Sequence, residues 1–349
     1  MRIAQISPLY ESVPPRYYGG TERVVHYLTE ELVRLGHHVT LFASGDSDTK
    51  ADLRSQAPRA LRLNPACHDP LAHHVRMLGR VFQEAEDYDI LHFHLDYLHF
   101  PLVRLLGRPT LTTQHGRLDI PDYKFLFKEF SDLPQVSISN YQRRPLPFAN
   151  WVATVYHGLP RQLYRFYPQP GEYLAFLGRI SPEKRVDRAI DIAVRAGLPL
   201  RIAAKVDKVD EAYYRDYIKP KLNHPLVTYL GEIGEGEKNE FLGRALGLLF
   251  PIDWPEPFGL VMVEALACGT PVIAFRNGSV PEVLEDGQTG FIVDSVDEAV
   301  AAVQKLDTIS RAYCRQAFEA RFTADRMARD YLKVYYKLRE WYGELSRVA

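Results

Sequence analysis

Apolar positions recur along this chain in two alternating rhythms. Ile3 to Ile6 is a short apolar run of strand length. In Thr21 to Leu35, Val24, Val25, Leu28, Leu32 and Leu35 then return at helical spacing, and Gly36 supplies the stop. His38 to Ala43 and Ile90 to Phe93 read as strands, with Thr110 to Thr113, Gln135 to Ser139 and Trp151 to Val155 as further short candidates. Strands parted by helix-length segments predict a parallel sheet with helices on both faces. Pro160 to Gly171 breaks the rhythm and reads as a linker. A second α/β series opens at Tyr173 to Gly178. It continues through Leu200 to Ala204, Val227 to Leu230, Gly247 to Phe250, Val272 to Phe275 and Phe291 to Val293. Thr323 to Leu345 is helical, with Met327, Tyr331, Leu332, Tyr335 and Leu338 on its apolar side. The expected division is residues 1–165 and residues 166–325, two doubly wound Rossmann-like domains, with residues 326–349 as a terminal helix. Such domains place a ligand at the carboxyl ends of their strands.

Composition narrows the class without naming the chemistry. A chain of 349 residues suffices for about two domains with large cores. With 46% hydrophobic and 25% charged residues it has the balance of an ordinary soluble protein. Its net charge of −1 gives no reason to expect nucleic acid as a partner. Cys67, Cys268 and Cys314 form no paired motif and read as reduced thiols. The N-terminus reads as a first strand, too short in apolar residues for a signal sequence. No run approaches the ~18 apolar residues of a spanning helix. The expected location is cytoplasmic, or peripheral at the inner face of a membrane.

Chemistry concentrates between Glu256 and Glu264, two carboxylates eight positions apart that bracket Gly259. Pro255 and Pro257 bias the chain around Glu256 away from helix, and helical periodicity begins near Leu260. On one continuous helix the two side chains would sit roughly 80° apart. With Glu256 on the entering loop and Glu264 in the second turn, both can approach the helix N-terminus. There the amides of Phe258, Gly259 and Leu260 favour an anion such as phosphate. A carboxylate competes with phosphate, so the two glutamates suit hydroxyls instead, and a ligand bearing both groups is a sugar nucleotide. Ala265 to Ala274 continues as a helix end, a Gly269-Thr270-Pro271 turn and a strand. Gly278, Pro281-Glu282-Val283 and Asp286-Gly287-Gln288-Thr289-Gly290 follow. This run resembles the donor-binding signature of the retaining GT-B glycosyltransferases of family 4. The resemblance covers nearly the whole chain. It implies two Rossmann-like domains facing across a cleft, with the terminal helix crossing back to the first domain.

Further residues take roles under that resemblance. Arg179 and Lys184 follow the strand that opens the second series, where two cations suit a diphosphate. They resemble the family's phosphate-binding block, here with four residues between them. Arg185 fits that block less well. Gly19-Gly20 lies between the first strand and first helix, where side-chain-free backbone lets amides approach a ligand. It is not a dinucleotide fingerprint, but it matches the family's glycine loop. By the same likeness Ile233, two positions after Gly231, would lie against the nucleotide base. His92 and His94 share a strand face and could be read as metal ligands or as ordinary buried and half-exposed histidines. Asp89 to His94 also resembles the block whose last His reaches the donor sugar, which assigns that role to His94 and leaves no metal. His115 resembles a second strand-end His, near the acceptor. Asp46-Ser47-Asp48 has the form of a metal-binding Asp-x-Asp but sits in a polar loop, as a turn. Tyr123 to Phe130, aromatics interleaved with Lys124 and Lys128, is either an acceptor or membrane-surface patch or, more simply, a half-buried helix.

The expectation is a retaining hexosyltransferase that needs no metal or other cofactor. Its donor is a UDP- or GDP-sugar and its acceptor a hydroxyl on a glycan, a lipid or a small metabolite. Arg179, Lys184, Glu256 and His94 are the expected catalytic residues. Gly19, Gly20, Ile233, Phe258, Gly259, Leu260 and Glu264 are the expected donor contacts. No general base is evident, which fits the family's front-face route, where a donor phosphate oxygen takes the acceptor proton. A sugar-nucleotide epimerase, a phosphorylase or a two-domain sugar-binding protein are the alternatives on a similar scaffold. Neither a phosphorylase cofactor lysine motif nor a signal segment is present to favour the last two.

Overall fold

The structure, a computed structural model, describes residues 1–17 and 19–348, with side chains described through residue 343. Ala349, the last residue of the expected terminal segment, lies outside the described residues. The chain forms two compact units, Met1–Gly158 with Ala324–Ala349, and Leu159–Thr323.

In the first unit the strands are β1 (Arg2–Ile6), β2 (His38–Ser44), β3 (Asp52–Ala57), β4 (Ile90–Phe93), β5 (Thr110–Thr113), β6 (Gln135–Ser137) and β7 (Trp151–Thr154). They lie in the order β3-β2-β1-β4-β5-β6-β7, and every neighbouring pair is parallel. β1 and β4 are buried on both faces, as central strands of a helix-covered parallel sheet must be. β3 is absent from the sequence expectation for a physical reason. It is an edge strand with the sequence Asp-Leu-Arg-Ser-Gln-Ala, largely exposed, and carries no apolar signal. The helix Ala324–Val348 belongs to this unit, and its Tyr331, Tyr335 and Leu338 are buried. It therefore returns to the first Rossmann-like layer, as the GT-B arrangement requires.

The second unit has β8 (Tyr173–Arg179), β9 (Leu200–Lys205), β10 (Val227–Gly231), β11 (Ala245–Phe250), β12 (Val272–Phe275) and β13 (Gly290–Val293). Their order is β10-β9-β8-β11-β12-β13, again parallel throughout. Leu174, Phe176, Ile190, Ala193, Ile202, Leu249 and Ile273 share one core cluster under the helix Val186–Ala196. The segment read as a linker is anchored to this unit by its aromatics. Tyr164 is 2% exposed and donates to Glu235, while the rings of Phe166 and Tyr167 fill the space that a Cβ at Gly269 or Gly243 would occupy.

Strand order reverses between β1 and β4 in one unit and between β8 and β11 in the other. In doubly wound sheets the crevice beyond the strand ends opens at such points. Arg179 ends β8, the loop to Glu256 follows β11, and His94 follows β4 directly.

Candidate functional site

β11 ends at Phe250, and residues 251–259 lead into the helix Leu260–Cys268. Gly259 caps that helix at φ 78°, a conformation that favours glycine. A Cβ there would lie 2.7 Å from the Met262 methyl. The loop before it is clamped by the turn at Gly278-Ser279. A Cβ on Gly278 would stand 2.2 Å from the Glu256 carbonyl oxygen, so only glycine lets the two backbones approach. Ser279 N–H donates to that carbonyl at 2.9 Å, and its hydroxyl donates to the Phe258 carbonyl at 2.8 Å. Glu256 is thus placed by backbone packing before its side chain does anything.

Glu256 is 8% exposed, and its carboxylate accepts from two donors. Lys184 Nζ donates to Oε2, and Trp254 Nε1–H donates to the same oxygen at 3.0 Å. The Lys184 ammonium also lies 4.6 Å from the Trp254 ring centroid, a cation–π contact. Lys184 arrives from the short turn Pro182–Lys184 after β8, which is tied to the opposite loop by Asp253 N–H donating to the Glu183 carbonyl at 2.8 Å.

Glu264 is the one charged residue in the sequence of the helix Leu260–Cys268 and is 4% exposed. Lys238 Nζ donates to its Oε1 at 3.1 Å and lies 3.3 Å from Glu235. Lys238 comes from the helix Glu235–Gly243, preceded by the half-buried Ile233 on the loop after β10. The two glutamates flanking the helix start are therefore each paired with a lysine, Glu256 with Lys184 and Glu264 with Lys238, which it shares with Glu235. The first N–H groups of that helix have no carbonyl one turn back to bond to. A buried carboxylate without its cation is costly, so in the free chain the pairs hold each other. A ligand that brings an anion for the lysines and hydroxyls for the glutamates can replace both partners at once.

Arg179 has partners of its own, different from those of Lys184. Its guanidinium donates to Glu183 and to Asp207 at 3.4 Å, and its Nε lies 3.7 Å from Asp210. Burial raises the Asp210 carboxyl above its ordinary range, with Arg179 pulling the other way. Arg185 is likewise held, by Asp187 and by Asp253 at 3.0 Å.

In the first unit, Gly19 precedes the helix that Gly20 opens. A Cβ on Gly19 would meet Pro15 at 2.9 Å and Glu11 at 3.2 Å, so a close approach demands glycine here. At the carboxyl ends of β1, β4 and β5, and partly within those strands, lies a buried polar chain. His94 is 3% exposed, its Nε2 is 2.8 Å from Gln5 Oε1, and its Nδ1 is 2.8 Å from His115 Nε2. His92 bonds Tyr335 through Nδ1 and Thr113 through Nε2, each at 2.7 Å. Both histidines are buried, and His92 has both nitrogens spent on structure. Burial holds His92 and His94 well below the usual imidazole range, with neighbouring histidines adding to the effect. His115 lies at the more open end, stacked on His157 at 5.3 Å.

Ser47 N–H donates to the Ser44 carbonyl at 3.1 Å, which makes their loop a turn, and Asp46 and Ser47 side chains anchor it by accepting from Ala60 and Val13 N–H, both at 2.9 Å. The helix Tyr123–Glu129 buries Phe127 and leaves Phe125 68% exposed, the half-buried arrangement. Among the described residues, no group of three or more His, Cys, Asp or Glu could hold a metal ion, and no helix is long and apolar enough to cross a membrane. Lys238, Trp254 and Ser279 are absent from the sequence expectation. Linear spacing links none of them to their glutamates, although the glycine of Gly278-Ser279 does mark a backbone approach.

Residues 167–318 match the family described as Glycosyl transferases group 1, and residues 18–172 match Glycosyltransferase Family 4. A phosphatidyl-myo-inositol mannosyltransferase of Mycobacterium leprae is 25% identical over 96% of this chain and 96% of its own length. The structure of AviGT4, a glycosyltransferase involved in avilamycin A biosynthesis, superposes with TM-score 0.74 at 23% identity, covering 97% of this chain and 98% of that one. HepE of Anabaena, in complex with UDP and glucose, gives TM-score 0.74 at 17% identity, covering 97% of this chain and all of the other.

Proposed function

The chain belongs to the group 1, family 4 glycosyltransferases, and on that footing we propose that it moves a hexosyl group from a UDP- or GDP-sugar to a hydroxyl acceptor, with retention at the anomeric carbon and without a metal. The observation that carries this reading is that two lysine-paired glutamates, Lys184–Glu256 and Lys238–Glu264, flank a helix start. The diphosphate takes Lys184 and the N–H groups at Gly259 and Leu260, and a carboxylate-free anion site forms there. Released from Lys184, Glu256 accepts from sugar hydroxyls, and Glu264 accepts from the ribose. Phe258 orders the loop, and Ile233 borders the base. Arg179 joins the phosphate by exchanging its carboxylate partners for it.

In the transfer, the bond from the anomeric carbon to the phosphate oxygen breaks and a bond to the acceptor oxygen forms on the same face. The acceptor proton passes to a donor phosphate oxygen, and a nucleoside diphosphate leaves. Charge accumulates on that leaving group, and fixed cations with helix N–H groups stabilise it where other folds use a divalent ion. His94 is assigned to the sugar, and the Gly19-Gly20 turn to the phosphates. His115 lies toward the acceptor, a glycan, a lipid or a small metabolite. The names of relatives favour a lipid or glycan acceptor, with the mannosyltransferases suggesting GDP-mannose and the UDP complex of HepE suggesting UDP-glucose.

A thermal-shift panel of UDP, GDP, ADP and their sugars in EDTA tests the donor. A ligand at 100 times its Kd adds about 2.7 kcal/mol to stability. One base family should raise the melting temperature and the others should not. No shift from any nucleotide, with a shift from a free sugar, would favour the sugar-binding alternative. Nuclear magnetic resonance of the product's anomeric proton then decides retention.

A further inference from the structure

The buried polar chain of the first unit is more extensive than a sugar contact needs. Gln5 Nε2 donates to the Tyr335 hydroxyl at 3.0 Å, and Tyr335 in turn bonds His92 Nδ1 at 2.7 Å. His92 Nε2 reaches Thr113 Oγ1, which contacts the Tyr331 hydroxyl at 2.9 Å. On its other side Gln5 presents Oε1 to His94 Nε2, and His94 Nδ1 meets His115 Nε2. Tyr331 and Tyr335 are 1% and 0% exposed, so water does not compete for these groups.

The directions of these bonds follow from which atoms can donate. A carbonyl oxygen only accepts, so His94 must carry its proton on Nε2 to meet Gln5 Oε1. Its Nδ1 is then a lone pair, and His115 must donate from Nε2. That leaves His115 Nδ1 a buried acceptor, and it has no partner in the structure. Reversing the Gln5 amide would reverse every step and end the chain on a buried His115 N–H with no acceptor. An orphaned donor is costlier and rarer than an orphaned lone pair, so the first direction wins. Burial keeps His94 neutral, which the same pattern requires.

We propose that Tyr335, on the C-terminal helix, is a positioning residue which, acting through Gln5, fixes His94 as the Nε2–H tautomer and so makes Nδ1 an acceptor for a hydroxyl of the donor sugar. This rests on the assignment of His94 to the sugar. In the free chain the His115 N–H stands where that hydroxyl would donate, and sugar binding displaces it. A neutral imidazole offering a lone pair selects a hydroxyl over a phosphate oxygen, which has no proton to give. Tyr335 thus couples the terminal helix to the recognition of the sugar rather than of the nucleotide.

The test uses the full chain labelled with ¹⁵N and reads the ring nitrogens of His94, alongside turnover of whichever of UDP-glucose and GDP-mannose stabilises the protein. In the wild type, His94 should show an unprotonated Nδ1 and a protonated Nε2. Tyr335→Phe removes the acceptor that orients Gln5, so His94 should become a tautomer mixture. Turnover should fall about 10-fold, the worth of one hydrogen bond to the sugar lost from the transition state. Affinity for the free nucleoside diphosphate should stay unchanged, which a general loss of structure would not allow. A wild-type His94 protonated on Nδ1 overturns the proposal whether or not the variant folds. So does a Tyr335→Phe chain that keeps both tautomer and turnover while His94→Ala loses turnover. Full turnover in His94→Ala would instead remove the sugar role of His94 itself.

Discussion

Exchanging both members of the Lys184–Glu256 pair separates what it does for folding from what it does for donor binding. Lys184→Met leaves the Glu256 carboxylate, 11% exposed in its side chain, with only the Trp254 N–H at 3.0 Å as a partner. Removing one member of a buried ion pair costs about 3–5 kcal/mol, and the Trp254 bond keeps the expected loss at about 3 kcal/mol. Glu256→Gln alone strands the Lys184 ammonium, although the faces of Trp254 and Phe250, at 4.6 and 5.8 Å, soften that cost. With both changes no charge is buried, and the amide carbonyl that replaces the Glu256 carboxylate still accepts from Trp254. The double variant should therefore unfold within about 1 kcal/mol of the wild type, a coupling of about 2 kcal/mol or more between the sites. Activity should behave otherwise. If Lys184 supplies about 3 kcal/mol to the leaving phosphate, Lys184→Met loses about 10²-fold in kcat, and the double variant recovers none of that. The assay is urea unfolding of the four proteins, paired with turnover of the stabilising nucleotide sugar. A double variant that regains turnover together with stability would reduce the pair to a structural salt bridge and refute the reasoning.

Glu264→Ala should raise the donor Kd about 10–100-fold, the worth of one or two hydrogen bonds to a charged group, measured by calorimetry. Unchanged donor affinity would remove its ribose role. Arg179→Ala should lower kcat by about 10² or more if the guanidinium leaves Glu183, Asp207 and Asp210 for the phosphate; near-normal turnover would leave it as the hub of that acidic cluster. Acid should destabilise the first unit, because burial depresses His92, His94, His99 and His157 in the fold, His99 to about 3, while the unfolded values stay near 6.5. The unfolded chain then binds more protons, so this stability is whole above about pH 6.5 and falls toward pH 3. For the fully buried His99, the loss at pH 5 is about 2 kcal/mol. Glu22, raised by burial to about 7, acts in the opposite sense and offsets part of it. Midpoints in urea that stay level from pH 7 to 5 would contradict the neutral buried histidines.

Much of the architecture is legible in the sequence because it rests on local rules. Central strands such as β1 and β4 are short, buried and mostly apolar runs, and glycines stop the helices they follow. The Glu256–Glu264 stretch is legible because Pro255, Pro257 and Gly259 fix a loop-to-helix turn by backbone geometry alone. Edge strand β3 escapes because its polar sequence satisfies an edge, not a core. Lys238 escapes because its bond to Glu264 joins two helices 26 residues apart in sequence. The Gln5–Tyr335 bond spans 330 residues. No spacing rule connects such positions, since only the fold brings them together. His94 shows the reverse limit. Its motif is readable, yet the sequence does not tell that both ring nitrogens are already engaged inside the unit.

The central claim is that a nucleotide sugar is held by charge exchange at the start of the Leu260–Cys268 helix. A crystal grown in EDTA and soaked with the nucleoside diphosphate that stabilises the chain tests it most directly. The account predicts the β-phosphate within hydrogen-bond reach of Lys184 Nζ and the Leu260 N–H, with the Lys184–Glu256 bond opened and the ribose on Glu264. A nucleotide bound elsewhere, or one whose phosphates reach the protein only through a divalent cation, would contradict it.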